Sequence, residues 1–213
     1  MSSRVTPTRL AELVSSTDRA ALDLLVAEVV VGHFGFVVDS LPVVMPIAVA
    51  SDGDTLLLHG STGSWWLRQL ATGIPVSMAI TAVDGLVVAR SAFESSMHYR
   101  SGVLFGFCSA VEGDEKIAAL DLITEALIPG RTSEVRASLP KELAATLVLR
   151  MTVNEFSIKI SDGWPEDPDV DCATDVWAGV VPLTAVRSAP IAAPDLRGGI
   201  AVPESVRRLT ATN

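Results

Sequence analysis

Three short β-rich runs, HFGFVVD, PVVMPIAVA and TLLLHG, follow one another between residues 33 and 60, with only the turn signals DSLP and SDGD between them. Apolar runs of strand length, punctuated this closely by Asp, Ser, Gly and Pro, predict a three-strand meander. Connections so short favour antiparallel neighbours. IPVSMAITAV, LVVARSA and SGVLFGFCSAV resume strand character, and VWAGVVPL predicts a last strand. Six or more strands with short helices between them predict an α+β chain on a mostly antiparallel β-barrel with peripheral helices.

The helical segments have their own signatures. TDRAALDLLVAEVVVG opens on Thr17 as N-cap, repeats Leu22, Leu25, Val26 and Val29 at helical spacing, and stops at Gly32. HGSTGSWWLRQLATG predicts a short helix with Ser64 as N-cap and Gly73 as its stop. DEKIAALDLITEALIPG predicts an amphipathic helix with Ile117, Leu120, Ile123 and Leu127 on one side, ended by Pro129 and Gly130. PKELAATL predicts a shorter one with Pro140 near its start.

Two strand patterns carry more detail. In SGVLFGFCSAV, Val103, Phe105, Phe107 and Val111 share a bulky face, while Gly102, Gly106, Cys108 and Ala110 line the other with Leu104. A small-residue face admits close approach, by a neighbouring element or by a flat ligand. From Val148 to Ile160 the apolar residues change phase, which predicts one strand with an extra residue, a β-bulge, near Asn154–Glu155. SDGWPEDPDVDCATD predicts a polar surface loop. The segment after Leu183 has no clear period, so residues 184–213 are expected as a tail packing on the barrel or on a partner subunit.

Bulk composition excludes several classes. Apolar residues make up 49% of 213, high for a monomer of this size, which predicts a buried interface in a homodimer. Charged residues break the most apolar run, Leu22 to Val38, so no membrane span is expected, and MSSRVTPTRL lacks the apolar core of a signal peptide. Two cysteines, Cys108 and Cys172, predict a reducing, cytoplasmic setting and no zinc or other metal site. A net charge of −9 without a basic stripe argues against nucleic acid.

Candidate chemistry is sparse. No nucleophile elbow, zinc-protease motif or nucleotide-binding phosphate loop occurs. Three histidines, His33, His59 and His98, are the candidate proton-transfer groups. His33 has a plain alternative as a cap at the end of a helix, and His98 as a loop residue entering a strand. His59 is more suggestive, because it ends a strand before the loop Gly60, Ser61, Thr62, Gly63, Ser64. Amide N–H groups at a helix start attract phosphate without side-chain charge. Arg90 and Arg100, each before a serine, would meet at one end of the sheet if their strands pair; they then bind an anion or form ion pairs with Glu94 or other acids.

The order of these segments, above all HGSTGS, ARSAF followed by YRS, and VWAGVVPL, resembles the FMN-binding split-barrel family, in its pyridoxamine 5'-phosphate oxidase-related branch that includes nitroimidazole-resistance proteins. The resemblance runs from about Arg9 to Arg207 and makes residues 9–183 one split-barrel domain. It implies a homodimer of six-stranded split barrels with two flavin sites at the subunit interface. It places the strand with Met45, Pro46, Ile47 and Ala48 along the isoalloxazine ring. Leu58, His59, Gly60, Ser61 and Ser64 approach the ribityl phosphate, and Arg100 and Ser101 lie beside the flavin. The chain departs from the family's oxidases where Trp65 and Trp66 replace a basic pair and Met45 replaces a frequent arginine. Arg68, one turn after Ser64, and Arg90 are the substitutes at hand. Adjacent helical residues point about 100° apart, so one indole is expected to pack inward and the other to cover or fill the cofactor pocket.

Two functional readings follow. One is an FMN-dependent oxidoreductase with an unknown small-molecule substrate or electron acceptor. The other is a non-catalytic dimeric binding or sensing protein that has lost FMN and holds haem (with His59 as its ligand), a deazaflavin or no cofactor.

Overall fold

The computed structural model describes residues 15–153 and 155–210. In chain order the elements are β1 (Ser15–Ser16), α1 (Arg19–Val29), β2 (Val31–Val38), β3 (Leu41–Ala48), β4 (Ala50–Asp52), β5 (Thr55–Ser61), α2 (Trp65–Ala71), β6 (Pro75–Val88) and β7 (Ser96–Ala110). They continue with α3 (Gly113–Leu127), a 3₁₀ turn (Thr132–Glu134), α4 (Pro140–Ala145), β8 (Thr146–Thr152), β9 (Glu155–Ser161), α5 (Asp169–Cys172), β10 (Gly179–Pro182) and α6 (Glu204–Thr210). The α+β class holds, with ten strands among the described residues where six were expected. No helix among those residues is long and apolar enough to cross a membrane.

The chain divides into two compact units. One comprises residues 1–47, 75–106 and 153–184, of which 15–47, 75–106, 153 and 155–184 are described. Its strands run in the order β3-β2-β6-β7, β9 joins the first part of β7, β1 joins β9, and β10 pairs with the far end of β6. The β2–β3 turn is Asp39–Ser40, both at positive φ (50° and 65°). That is the twist of a two-residue type I′ hairpin. Inside, Phe34, Met78, Ile80 and Leu104 are fully buried, and α1 buries Leu22, Leu25 and Val26. Each such side chain contributes about 1.5–3 kcal/mol.

The other unit comprises residues 48–74, 107–152 and 185–213, described to Thr210, with strands in the order β7-β8-β5-β4. Helix α3 covers a cluster of Ala50, Leu57, Val111, Ala119, Ile123 and Val148.

Several local expectations need correction. The α1 N-cap is Asp18, not Thr17: its Oδ1 accepts the Ala20 N–H at 2.9 Å. The helix ends at Val30 in left-handed backbone (φ 55°), and Gly32 already belongs to β2. IPVSMAITAV and LVVARSA form one continuous strand, β6, because Asp84–Gly85 makes no turn. Gly85 instead brings β6 close to β10, where a β-carbon would stand 3.1 Å from the Val181 carbonyl.

On α3 the buried residues are Ala119 and Ile123, whereas Ile117 and Leu127 are exposed. The run Val148–Ile160 is two strands, β8 and β9, rather than one bulged strand. The expected extra residue is still visible in the count. Between the pairs Phe105↔Glu155 and Cys108↔Met151, two residues lie on β7 and three on the other side. Asn154 itself falls outside the described residues. At Gly102 the small face of β7 is packed by protein: a β-carbon there would meet Leu22 at 3.1 Å and Ile80 at 3.2 Å. The tail contains one helix the sequence did not announce. The Glu134 carboxylate accepts Ser205 N–H at 3.0 Å and Ser205 Oγ–H at 2.5 Å, which fixes an anion at the start of α6.

Candidate functional site

The expected site residues divide between the two units: Met45, Pro46, Ile47, Arg90, Arg100 and Ser101 in the first, and Ala48, Leu58, His59, Gly60, Ser61, Ser64, Trp65, Trp66 and Arg68 in the second.

In the second unit, β5 delivers Leu58 fully buried and His59 partly so. Across the sheet His59 pairs with Val148 and thus shares a face with the α3-covered cluster. Burial depresses its pKa, because desolvation disfavours the charged imidazolium. Its Nδ1 is buried with no hydrogen-bond partner among the described residues. Gly60 follows because α2 presses there: a β-carbon would stand 2.5 Å from Leu67 Cδ1.

The loop after it uses its own amides. Thr62 N–H donates to the Ala145 carbonyl at 2.9 Å, Gly63 N–H to Ser61 Oγ at 3.1 Å, and Ser64 N–H to the Ser61 carbonyl at 2.9 Å. Arg68 Nη1 donates to the Thr62 carbonyl at 3.3 Å. The sequence reading missed this engagement; Ala145 lies 83 residues from Thr62, and nothing local signals it. Ser64 does stand at the N-cap and Gly73 at the stop with φ 78°, as expected, although the Ser64 side chain makes no capping bond. The two indoles part as helical geometry requires: Trp66 is 9% exposed and Trp65 50%.

In the first unit the arginines hold acids. Arg90 N–H donates to Asp167 Oδ1 at 2.8 Å and its Nη1 to Oδ2 at 3.0 Å. The partner is Asp167 of the surface loop, not Glu94, whose N–H donates to Ser91 Oγ. Arg100 holds two carboxylates, Asp84 through Nε and Nη2 and Glu28 through Nη1 and Nη2. The guanidinium pushes both carboxyl pKa values down, chiefly by hydrogen bonding, and its own rises beyond its ordinary value. Ser101 pairs with Lys159 across β9. Of the other histidines, His98 lies within β7 and its Nε2 is 2.8 Å from the Gly163 carbonyl, while His33 stands exposed within β2 rather than at the end of α1.

The fold is that of an α+β chain of mostly antiparallel strands with a strand–loop–helix corner of small residues. A family model described as pyridoxamine 5'-phosphate oxidase matches residues 18–160, and the chain belongs to that family. The FAD and haem binding protein from Mycobacterium smegmatis is 49% identical, covers 92% of this chain and 97% of its own, and superposes with a TM-score of 0.90. The flavocytochrome Anf3 from Azotobacter vinelandii is 27% identical over 97% of this chain and 96% of its own, with a TM-score of 0.89. A structure assigned to 5-nitroimidazole antibiotic resistance, from Bacteroides thetaiotaomicron, shares the fold at 19% identity, 69% and 86% coverage, and a TM-score of 0.59. No curated protein sequence matches the chain.

Proposed function

We propose that this chain is a flavin- and haem-binding redox protein of the reducing cytosol, active as a homodimer, with a small molecule as electron acceptor or substrate. The observation that carries this reading is the 49% identity, over nearly the whole of both chains, with a protein whose structure is that of an FAD and haem binder. The flavin would supply the electron chemistry, and the chain its orientation and electrostatics.

The residues fit FAD better than the FMN first expected. FMN ends in a phosphate monoester that calls for charge-assisted donors. Here Trp65 and Trp66 stand in place of cations, Arg68 is turned to Thr62, and the amides of Thr62, Gly63 and Ser64 are engaged within the protein. In FAD that phosphate is one half of a pyrophosphate, so the two negative charges are spread over two phosphates and only one of them stands beside the loop. Exposed Phe93, Phe107, Val186 and Ile191 support a second subunit.

The test is direct. Purified protein, reconstituted with FAD, FMN and haemin in turn, should show flavin absorption and a Soret band, and chromatography of the released flavin should give FAD. FMN alone would return the reading to the family's simpler cofactor. Protein that stays colourless with all three would leave the other expectation, a dimer without either cofactor.

A further inference from the structure

Among the described residues, the outer face of β3–β2–β6 is mainly apolar, uncovered and centred on one histidine. Along β2, Phe34 and Phe36 point into the first unit, so Val31, His33, Gly35 and Val37 point away from it. His33 pairs with Ala79 of β6. The two-residue Asp39–Ser40 turn sets Val38 against Leu41, which brings Pro46 of β3 opposite His33 on the other side. Val37 and Val44 are 60% and 64% exposed there, and Val31 and Val83 add to the patch.

We propose that His33 is the axial ligand through which this chain binds a haem iron, with the macrocycle lying over the outer face of β3–β2–β6. The inference rests on the haem-binding reading above. Three strands give a platform two spacings of about 4.8 Å wide, matched to a flat macrocycle, and the middle strand carries the ligand. Side chains on a strand stand roughly perpendicular to the sheet, so an imidazole on β2 lifts the iron above the valines, which then contact the ring.

The other histidines are worse placed. His59 is partly buried, on the face of β5 that carries the α3-covered cluster, whereas His33 is exposed. His98 has Nε2 beside the Gly163 carbonyl. A second copy of the chain is the rival occupant of the face. It would bury the His33 ring nitrogens among valines, which costs free energy unless something pairs with them. An iron centre removes that cost.

The experiment uses the full chain reconstituted with haemin, as wild type and as His33→Ala, His33→Gly, His59→Ala and His98→Ala, read by Soret spectrum, electron paramagnetic resonance and sedimentation. The expected result is imidazole-ligated haem in the wild type, a loss of affinity of about 100-fold in His33→Ala, beyond the loss of a mere supporting group, and recovery in His33→Gly when imidazole is added. His59→Ala and His98→Ala should keep the wild-type spectrum. An unchanged spectrum in His33→Ala overturns the assignment and leaves haem binding intact. So does a loss that imidazole does not restore in His33→Gly, or a His33→Ala protein that keeps its spectrum but falls from dimer to monomer. A wild type with no Soret band defeats the haem-binding reading itself.

Discussion

Arg100 grips Asp84 at two points, Nε to Oδ2 at 2.9 Å and Nη2 to Oδ1 at 2.7 Å. The same guanidinium reaches both oxygens of Glu28 at 2.7 and 2.8 Å. One cation therefore ties α1, β6 and β7 together. Both carboxyl pKa values are lowered in the folded chain. A lowered pKa means stabilisation that is fully present above the unfolded carboxylate pKa of about 4 and is lost as pH falls through the folded value. Asp84→Asn should cost about 1 kcal/mol at neutral pH, because the pair is partly solvated. The difference from wild type should shrink as pH falls below the unfolded carboxylate range and through the lowered folded value. Urea unfolding at several pH values measures it; a difference that persists in acid would mean the side chain acts through packing instead.

How far this was legible in the sequence follows from the range of each interaction. The pairing of Arg100 with Asp84 and Glu28 spans 16 and 72 residues, and only the folded sheet brings them together. Features set by local spacing were readable: the α2 boundaries came from Ser64 and Gly73, and the phase change after Val148 foretold the extra residue opposite β7. IPVSMAITAV and LVVARSA read as separate runs because Asp84–Gly85 interrupts the apolar pattern, yet here the glycine serves close approach to Val181. Ile117 and Leu127 misled because an apolar stripe shows which face of a helix seeks cover, not how much of it one chain supplies.

The tryptophan pair should separate cleanly under mutation. Trp66 is nearly buried, so Trp66→Ala should cost about 3–5 kcal/mol, and a Lys there should cost more by burying a charge. Trp65 is half exposed, so Trp65→Arg should change stability by less than about 1 kcal/mol. It should also strengthen FMN binding if a cation beside the loop is what the chain lacks. Thermal unfolding and tryptophan-quenching titrations with FMN check both halves; equal destabilisation by Trp65→Arg and Trp66→Ala would contradict the burial.

The two cysteines should report different environments. Cys108 is buried, and desolvation pushes its thiol pKa up to about 12, which leaves almost no thiolate at neutral pH. Cys172 is exposed at the end of α5. A thiol reagent should therefore modify one cysteine in the native protein and both in denaturant. Cys172→Ser should abolish native labelling. Two thiols reacting at one rate in native buffer would show that β7 opens readily.

The loop after β9 hangs on one carboxylate. Asp167 has no exposed side-chain surface and takes both the Arg90 amide and its guanidinium, while Arg90 Nε is buried with no hydrogen-bond partner among the described residues. Asp167→Ala would leave a partly buried guanidinium without its counter-charge. Breaking such a pair by removing one partner costs about 3–5 kcal/mol when fully buried, and about half that is expected here because Arg90 is 28% exposed. Asp167→Asn retains an acceptor for the amide and should cost less. The effect should also be local: with the clasp gone, residues 162–178 lose their tie to the end of β6 and should be cut first by protease. Denaturant unfolding measures the first consequence and limited proteolysis with peptide mapping the second. Cleavage at the same rate in wild type and Asp167→Ala would show that the loop is held elsewhere, with the His98–Gly163 contact as the next bond to break.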